Sequence, residues 1–194
     1  MVVCGVLALQ GGWDAHGKIL QELGAEVQSV RTAADLDTVE CLVIPGGEST
    51  AMLRLMEPER LNVRLTERVS EGMAVLATWA GVILLAEHVE SEQESLGILA
   101  MAVERNAYGR QVHSTIDQVA LAPEVGHPAL MEGVFIRAPR LTRLGPEVVV
   151  LGRLRDEPVL VCQDRIIGAT FHPELTADRR VHKLFLNMAE EGHG

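Results

Sequence analysis

The first ninety residues alternate continuous apolar runs with helix-patterned segments, and this alternation limits the fold more than any other feature. The runs "VVCGVLAL", "CLVIPGG" and "MAVLAT" are typical of strands buried on both faces, and "AEVQSV" alternates as a further strand. In "DAHGKILQELG", Ile19, Leu20 and Leu23 share a helical face, with Gly24 as the C-cap. A second helix is expected from Pro58 to Gly72. This β-α-β-α order predicts an α/β fold with a parallel, doubly wound sheet.

Past residue 95 the sequence consists mostly of short strand-like runs, namely "LGILAMAVERN", "GVFIRAP", "EVVVLGRL", "EPVLVCQD" and "RIIGATFHPE". Short turns such as "RDEP" and "QDR" predict antiparallel hairpins appended to the sheet. A closing amphipathic helix, "TADRRVHKLFLNMAEE", is expected to begin at a cap provided by Thr176 or Asp178. Its apolar stripe consists of Val181, Leu184, Phe185 and Met188. Without repeats or a linker, the sequence predicts one domain over residues 1–194.

Charge and composition disfavour several classes of partner. The net charge is −10 with no basic cluster, which argues against binding to nucleic acid or to an anionic membrane surface. No apolar run approaches the roughly 20 residues that span a bilayer, and "MVVCGVLALQ" lacks signal-peptide features. Cys4, Cys41 and Cys162 lie in apolar runs without CxxC spacing, so we expect buried thiols rather than disulfides or metal ligands. A cytoplasmic location is therefore expected.

The stretch "VLATWAGVILLAEH", Val75 to His88, predicts a strand, an abrupt turn and an amphipathic helix. Small residues flank the turn at Ala77, Ala80 and Gly81, as a tight chain reversal requires. Enzymes often place a nucleophile at the apex of such a turn. Here the apex is Trp79, whose indole N–H is only a hydrogen-bond donor and cannot attack a substrate.

Two further segments carry candidate chemistry. "PGGEST", residues 45–50, follows a buried strand, and its glycines allow a ligand to approach the backbone; the alternative is an ordinary strand-to-helix turn. In "FHPE", Pro173 favours an extended His172, so that His172 and Glu174 project to the same side. This arrangement suits a general base and the carboxylate that orients it. The alternative is a surface histidine followed by a helix-capping glutamate.

Arginines occur in two loop segments. Arg105 and Arg110 lie in "VERNAYGRQ", and Arg137 ends the apolar run "GVFIRAP". Arginines at strand ends are usually solvated. They would form part of a site only if their loops met "PGGEST" and "FHPE" at the carboxyl ends of the strands, where open α/β sheets bind ligands.

Taken in order, these segments resemble the glutaminase subunit of pyridoxal 5′-phosphate synthase, a class I, triad-type glutamine amidotransferase. The matching motifs are "GVLALQG", "PGGEST", "TWAGVILLA" against the family pattern T-C-A-G, "VERNAYGRQ", "GVFIRAP" and "FHPEL". They span residue 5 to about residue 188. The resemblance implies a flavodoxin-like doubly wound, mostly parallel sheet with helices on both faces and appended antiparallel hairpins.

The resemblance also implies an activity and a partner. The family hydrolyses L-glutamine to glutamate and ammonia, and the ammonia passes to a barrel-shaped synthase subunit that builds pyridoxal phosphate from a pentose phosphate and a triose phosphate. No metal or organic cofactor is needed. Gln10 would lie near the surface that docks on the synthase.

The same motifs imply roles for individual residues. His172 would be the general base, Glu174 its orienting carboxylate, and the backbone N–H groups of Gly47 and Ala80 the oxyanion hole. The residues expected to contact glutamine are Gly47, Glu48, Ser49, Arg105, Ile136 and Arg137.

The sequence departs from the family pattern at the turn. The nucleophilic cysteine aligns with Trp79, and the glycine two residues before it aligns with Ala77. A cysteine thiolate forms a glutamyl thioester, which an indole cannot do. Loss of a triad nucleophile costs about a million-fold in turnover. The indole is also expected to project into the space for the glutamine side chain.

Three hypotheses follow for this chain. The first is a glutaminase in which Trp79 is an engineered or erroneous substitution that severely impairs hydrolysis. The second is a pseudo-glutaminase that still docks on the synthase and acts as a structural partner. The third is a remodelled pocket that binds a different small carboxylate.

Overall fold

The computed structural model describes residues 1–90, 93–105 and 115–192. Its helices are α1 (Trp13–Glu22), α2 (Ala33–Asp37), α3 (Ser49–Met56), α4 (Leu61–Ser70), α5 (Ala80–Leu85) and α6 (Arg180–Glu191). Its strands are β1 (Val3–Leu7), β2 (Glu26–Val30), β3 (Cys41–Ile44), β4 (Ala74–Thr78), β5 (Ala86–Val89), β6 (Leu99–Glu104), β7 (Thr115–Leu121), β8 (Leu130–Phe135), β9 (Arg140–Thr142), β10 (Val149–Leu154), β11 (Glu157–Gln163) and β12 (Ile166–Ala169). No helix in these ranges is long and apolar enough to cross a membrane.

Within the described residues, the large sheet contains nine strands in the order β2-β1-β3-β4-β12-β11-β10-β7-β8. The strands from β2 to β12 pair in parallel, which is the doubly wound part of the fold. From β12 to β8 each pairing is antiparallel, so the hairpins predicted from the later runs extend the same sheet. A smaller sheet has the order β5-β6-β9. The predicted α/β fold class is confirmed.

Helices cover both faces of the parallel strands, and alternate strand residues supply the two cores. On one face, Leu42 and Val75 belong to a cluster that includes buried residues of α2, α3, α4 and α5. On the other, Val43 and Leu76 belong to a cluster with buried residues of α1 and α6. Because neighbouring residues of a strand point to opposite faces, a strand covered on both sides must be apolar throughout, as β3 and β4 are.

The segment after the turn differs from the prediction. Its helix ends at Leu85 rather than continuing to His88, and every residue of α5 is buried, so this helix is not amphipathic. The chain then forms β5, where Ala86 pairs with Leu99 of β6. This pairing is a tertiary contact, and a helical pattern within one segment could not indicate it.

The expected cap of the last helix was also wrong. Arg179, rather than Thr176 or Asp178, occupies the N-cap position of α6. Both predicted residues nevertheless bind backbone N–H groups here: Asp178 Oδ1 accepts from Arg180 N at 2.9 Å, and Thr176 Oγ1 accepts from Asp178 N at 3.2 Å. Asp178 also pairs with the Arg180 guanidinium at 2.6 Å, which fixes it one residue outside the cap.

Candidate active site

The turn between β4 and α5 has the strained geometry expected of an elbow. Trp79 has φ 47° and ψ −101°, a backbone conformation that costs a residue with a Cβ on the order of 1–3 kcal/mol. The backbone N–H of Trp79 donates to the Ala169 carbonyl at 2.8 Å, which ties the elbow to β12. Gly81 then passes so close to β3 that a Cβ there would lie 2.4 Å from the Ile44 carbonyl oxygen. The tight reversal therefore depends on Gly81.

We predict that Gly81→Ala destabilises the fold by about 3 kcal/mol or more, because a methyl group at 2.4 Å from a backbone oxygen forces β3 and α5 apart. Urea unfolding monitored by circular dichroism would measure the loss. Gly11→Ala is the matched control, since a Cβ at Gly11 meets no atom within 4 Å. Equal stabilities for the two variants would contradict the close packing of the elbow on β3.

The indole of Trp79 points toward the other candidate residues. Its Nε1–H donates to the Arg137 carbonyl at 3.1 Å. Its ring lies beside the imidazole of His172, with centroids 5.7 Å apart and planes inclined at 32°. The side chain thus fills the space between the "FHPE" and "FIRAP" segments.

His172 and Glu174 form the pair that the sequence predicted. His172 Nδ1 lies 2.7 Å from Glu174 Oε1, and only 12% and 5% of these side chains are exposed. The backbone N–H of His172 donates to the Val134 carbonyl at 2.9 Å, which holds the "FHPE" segment against β8. Burial has the largest single effect and raises the pKa of Glu174. The hydrogen bond from His172 and the charges of His16 and His172 together lower it by more, so the pKa lies below its ordinary value. Glu174 is therefore a carboxylate at neutral pH, able to orient the imidazole.

The glycine-rich loop after β3 reaches both rings of the site. A Cβ on Gly46 would lie 3.1 Å from His172 Cε1 and 3.3 Å from Trp79 Cε3. Gly47 is equally restricted, because its Cβ would lie 2.6 Å from Gln10 Oε1. The same oxygen accepts a hydrogen bond from Glu48 N at 2.6 Å, so Gln10 fixes the loop beside the elbow.

Glu48 acts as the N-cap of α3. Its carboxylate accepts hydrogen bonds from Ala51 N at 2.8 Å and Thr50 N at 3.1 Å. Partial burial raises the pKa of Glu48, but these N–H groups and the charge of Arg105 together lower it by more, so it lies below its usual value. Helix capping is thus a structural role for Glu48 that the resemblance did not indicate.

Arg105 and Ser49 meet through a residue that the sequence analysis missed. The Arg105 guanidinium donates to Gln93 Oε1, and Gln93 Nε2 donates to Ser49 Oγ at 2.8 Å. Arg105 Nη2 also lies 3.6 Å from Glu48 Oε1. The arginine loop and "PGGEST" therefore converge, as a shared site requires. Arg110 lies outside the described residues.

The remaining predicted residues lie beside the same space. Ile136 follows the end of β8 and is partly buried, and Arg137 is exposed with φ 46°. Ala80 begins α5 directly after Trp79. The structure brings together the backbone segments that carry all the described candidates, whereas their contacts with a substrate stay predictions.

Two buried histidines behind Glu174 were also missed. His16 Nε2 lies 3.3 Å from Glu174 Oε2, and His16 Nδ1 lies 2.9 Å from His182 Nε2. Both imidazoles have no exposed surface. Burial lowers the pKa of His16, although the charge of Glu174 opposes the shift. One sequence signal could have indicated their burial: each histidine lies three residues before an apolar residue of the same helix face, His16 before Ile19 and His182 before Phe185.

We predict that one buried imidazole makes stability depend on pH. Burial lowers the pKa of His182 to about 3, and nearby His16 and Arg179 lower it further. Between that pH and about 6.5, the unfolded chain binds a proton that the folded chain does not, so stability falls as the pH falls. The slope is about 1.4 kcal/mol per pH unit for one proton. Urea unfolding from pH 7.5 to 5 should give a shallower slope for His182→Gln.

The exposed His88→Gln variant is the control for this prediction and should keep the slope of the unaltered chain. Equal slopes for His182→Gln and the unaltered chain would contradict a neutral His182 in the folded state.

The three cysteines are free; Cys4 and Cys41 are buried as predicted, whereas Cys162 is only partly buried. Cys4 and Cys41 are fully buried partners on β1 and β3, and their contact together with burial raises the pKa of Cys4 well above its ordinary value. Burial and Asp164 raise the pKa of Cys162 on β11. Raised pKa values disfavour the reactive thiolate. Across residues 1–90, 93–105 and 115–192, no group of three or more His, Cys, Asp or Glu could hold a metal ion.

Comparison with known families decides the relationship. The model of the SNO glutamine amidotransferase family matches residues 6–191. The chain belongs to this family. The matched range includes the elbow, the glycine-rich loop and the His172–Glu174 pair.

Curated relatives share nearly the whole length. Subunit PdxT of pyridoxal 5′-phosphate synthase from Koribacter versatilis is 48% identical, over 97% of this chain and 96% of the relative. The proteins of the same name from Thermotoga petrophila and Thermus thermophilus are each 46% identical, over 96% of this chain and 98% and 97% of their own lengths.

Solved structures share the fold. A crystal structure of a glutamine amidotransferase is 44% identical with a TM-score of 0.90, covering 98% of this chain and 100% of that one. The structure of PurLQS from Thermotoga maritima has a TM-score of 0.73 at 16% identity, covering 96% and 99% of the two chains. The second likeness supports the fold alone.

Proposed function

We propose that this protein is, by type, the glutaminase subunit of pyridoxal 5′-phosphate synthase. It would comprise one glutamine amidotransferase domain over residues 1–194 and release ammonia from L-glutamine for a barrel-shaped synthase subunit in the cytoplasm. The observation that carries the proposal is the His172–Glu174 pair, 2.7 Å apart beside a strained elbow. Relatives of 44–48% identity carry the name of that synthase's subunit PdxT, which supports the partner.

The proposed mechanism assigns one step to each group. In a chain with a cysteine at position 79, His172 would take the thiol proton and the thiolate would attack the amide carbon of glutamine. His172 would then protonate the departing ammonia, leaving a glutamyl thioester, while Glu174 stabilises the imidazolium. The N–H groups of Gly47 and Ala80 would bind the oxyanion of the tetrahedral intermediate. Water then hydrolyses the thioester to glutamate.

For this chain we propose that Trp79 blocks the first step. The indole has no nucleophilic atom, and its contacts with His172 and the Arg137 carbonyl occupy the side of the imidazole that a nucleophile would face. The substrate-binding roles of Glu48, Ser49, Arg105, Ile136 and Arg137 stay part of the proposal. Their loops converge on the elbow, which is what glutamine binding requires.

Association with the synthase tests the proposed partner. We expect the unaltered chain and a Trp79→Cys variant to co-sediment with the synthase subunit in analytical ultracentrifugation, with equal affinities. Equality is expected because the Trp79 indole makes its contacts inside the site, with the His172 imidazole and the Arg137 carbonyl. The complex with the unaltered chain should form pyridoxal phosphate from ammonium salts but not from glutamine. Failure of both chains to associate at micromolar concentrations would refute the proposed partnership.

A further inference from the structure

A buried row of polar side chains extends from the site to the last helix. It begins with His172 Nδ1 and Glu174 Oε1 at 2.7 Å. It continues from Glu174 Oε2 to His16 Nε2 at 3.3 Å, and from His16 Nδ1 to His182 Nε2 at 2.9 Å. Thr78 Oγ1, at the end of β4, lies 3.3 Å from His16 Nε2. Helices α1 and α6, which are distant in sequence, thus meet behind the carboxylate.

Burial makes this row costly unless its members satisfy one another. His16, Thr78 and His182 expose 1% of their surface or less. Glu174 Oε2 accepts no well-aligned hydrogen bond from the described residues. The nitrogen that lies within ion-pair distance of this oxygen is His16 Nε2, at 3.3 Å. A buried carboxylate oxygen without a donor is strongly unfavourable. His16 is the group available to offset this cost.

Only one arrangement of protons makes the contacts of His16 favourable. A carboxylate only accepts hydrogen bonds, so the proton must be on His16 Nε2, which faces Glu174. His16 Nδ1 then accepts from His182 Nε2–H, and the buried His182 Nδ1 is left as an acceptor without a partner in the described residues. The opposite tautomer would aim a lone pair of His16 at the carboxylate and leave an N–H of His182 buried and unbonded.

We infer that His16 is a positioning residue for the glutaminase triad, directing its Nε2–H to Glu174 Oε2 and supported by a hydrogen bond from His182. Because His16 donates to Oε2, Glu174 is held so that Oε1 accepts a hydrogen bond from His172 Nδ1–H. His172 Nε2 then stays unprotonated and can act as the base. His16 has no contact with position 79 in the described network and is not itself catalytic. The inference rests on the proposed function for its catalytic meaning.

The tautomers can be measured on the unaltered chain by ¹⁵N–¹H NMR of the imidazoles at pH 7.5. We expect His16 to be the Nε2–H tautomer and His172 the Nδ1–H tautomer. In His16→Leu the Nδ1–H form of His172 should lose its dominance, whereas His16→Gln, whose amide can still donate to Glu174, should retain it. An exposed control, His88→Leu, should leave His172 unchanged.

Finding His16 protonated on Nδ1 in the unaltered chain would overturn the inference even if the His16 variants failed to fold. So would an unchanged His172 tautomer in folded His16→Leu.

Kinetics separate positioning from a merely structural role. With Trp79→Cys and the synthase subunit present, adding His16→Leu should lower kcat about 10- to 100-fold with little change in KM, and His16→Gln should recover most of the loss. Losses in KM alone, or equal losses for both variants, would contradict positioning. Absence of glutaminase activity in Trp79→Cys itself would count against the proposed function, while the tautomer measurement would still decide the role of His16.

Discussion

A chain carrying Trp79→Cys, assayed with the synthase subunit, is expected to release glutamate from glutamine on the order of 10⁴- to 10⁶-fold faster than the unaltered chain. The substitution acts in two ways. It supplies a thiol beside His172, which can be converted to the thiolate that attacks the amide carbon. It also removes the indole from the space between His172 and the Arg137 carbonyl. The partner is included because the proposed function places this subunit in a complex with the synthase.

Trp79→Ala separates these two effects, since it opens the same space without adding a nucleophile. We expect it to stay within about tenfold of the unaltered chain, as the oxyanion hole and binding contacts alone contribute little turnover. Trp13→Cys, at the start of α1, controls for adding a thiol elsewhere. If Trp79→Cys bound the synthase yet released no more glutamate than Trp79→Ala, the proposed nucleophile position would be wrong.

The sequence predicted the parallel part of the sheet because each of its strands carries its own signal. Strands such as β3 and β4 are buried on both faces and therefore apolar throughout. The strands β5, β7 and β9 were missed. β5 and β9 are four and three residues long and depend on pairing with β6. β7 has seven residues of mixed polarity, and it pairs with β8 and β10. Helix α2 was missed for a related reason: five residues with one buried leucine give no periodic pattern.

The His172–Glu174 pair could be predicted from the sequence, whereas the buried histidines that contact Glu174 from its other side could not. His172 and Glu174 are two residues apart, so local geometry places them on one side. His16 and His182 are separated by 166 residues, and only the packing of α1 and α6 against the sheet brings them together. Gln93 was missed because its role depends on contacts with Ser49 and Arg105, which lie on other segments.

Convergence on the elbow also bears on the alternatives. The indole keeps two contacts inside the site, with the His172 imidazole and the Arg137 carbonyl, and these contacts do not indicate a pocket for a different carboxylate. The glycine-rich loop, the His172–Glu174 pair and the described arginines, Arg105 and Arg137, lie around the same space. Under the proposed function, position 79 is therefore the place where a substitution is expected to restore hydrolysis.

Removing His172 from the Trp79→Cys chain is expected to cancel the recovered activity, with a loss on the order of 10⁴- to 10⁶-fold in kcat. A thiol without its base is mostly protonated near neutral pH and lacks a group to protonate the departing ammonia. His172→Ala should also slow covalent labelling of Cys at position 79 by a glutamine-mimicking electrophile, measured by mass spectrometry.

The size of the loss should differ along the triad. Glu174→Gln keeps the shape of the side chain but removes the carboxylate that orients and charges the imidazole, so a smaller loss of about 10⁴-fold is expected. The exposed His88→Ala variant should keep full activity and rapid labelling. If His172→Ala retained both in the Trp79→Cys chain, the 2.7 Å pair would be structural only, and the base would have to come from another group. Its labelling rate therefore distinguishes a catalytic pair from a buried hydrogen bond of the fold.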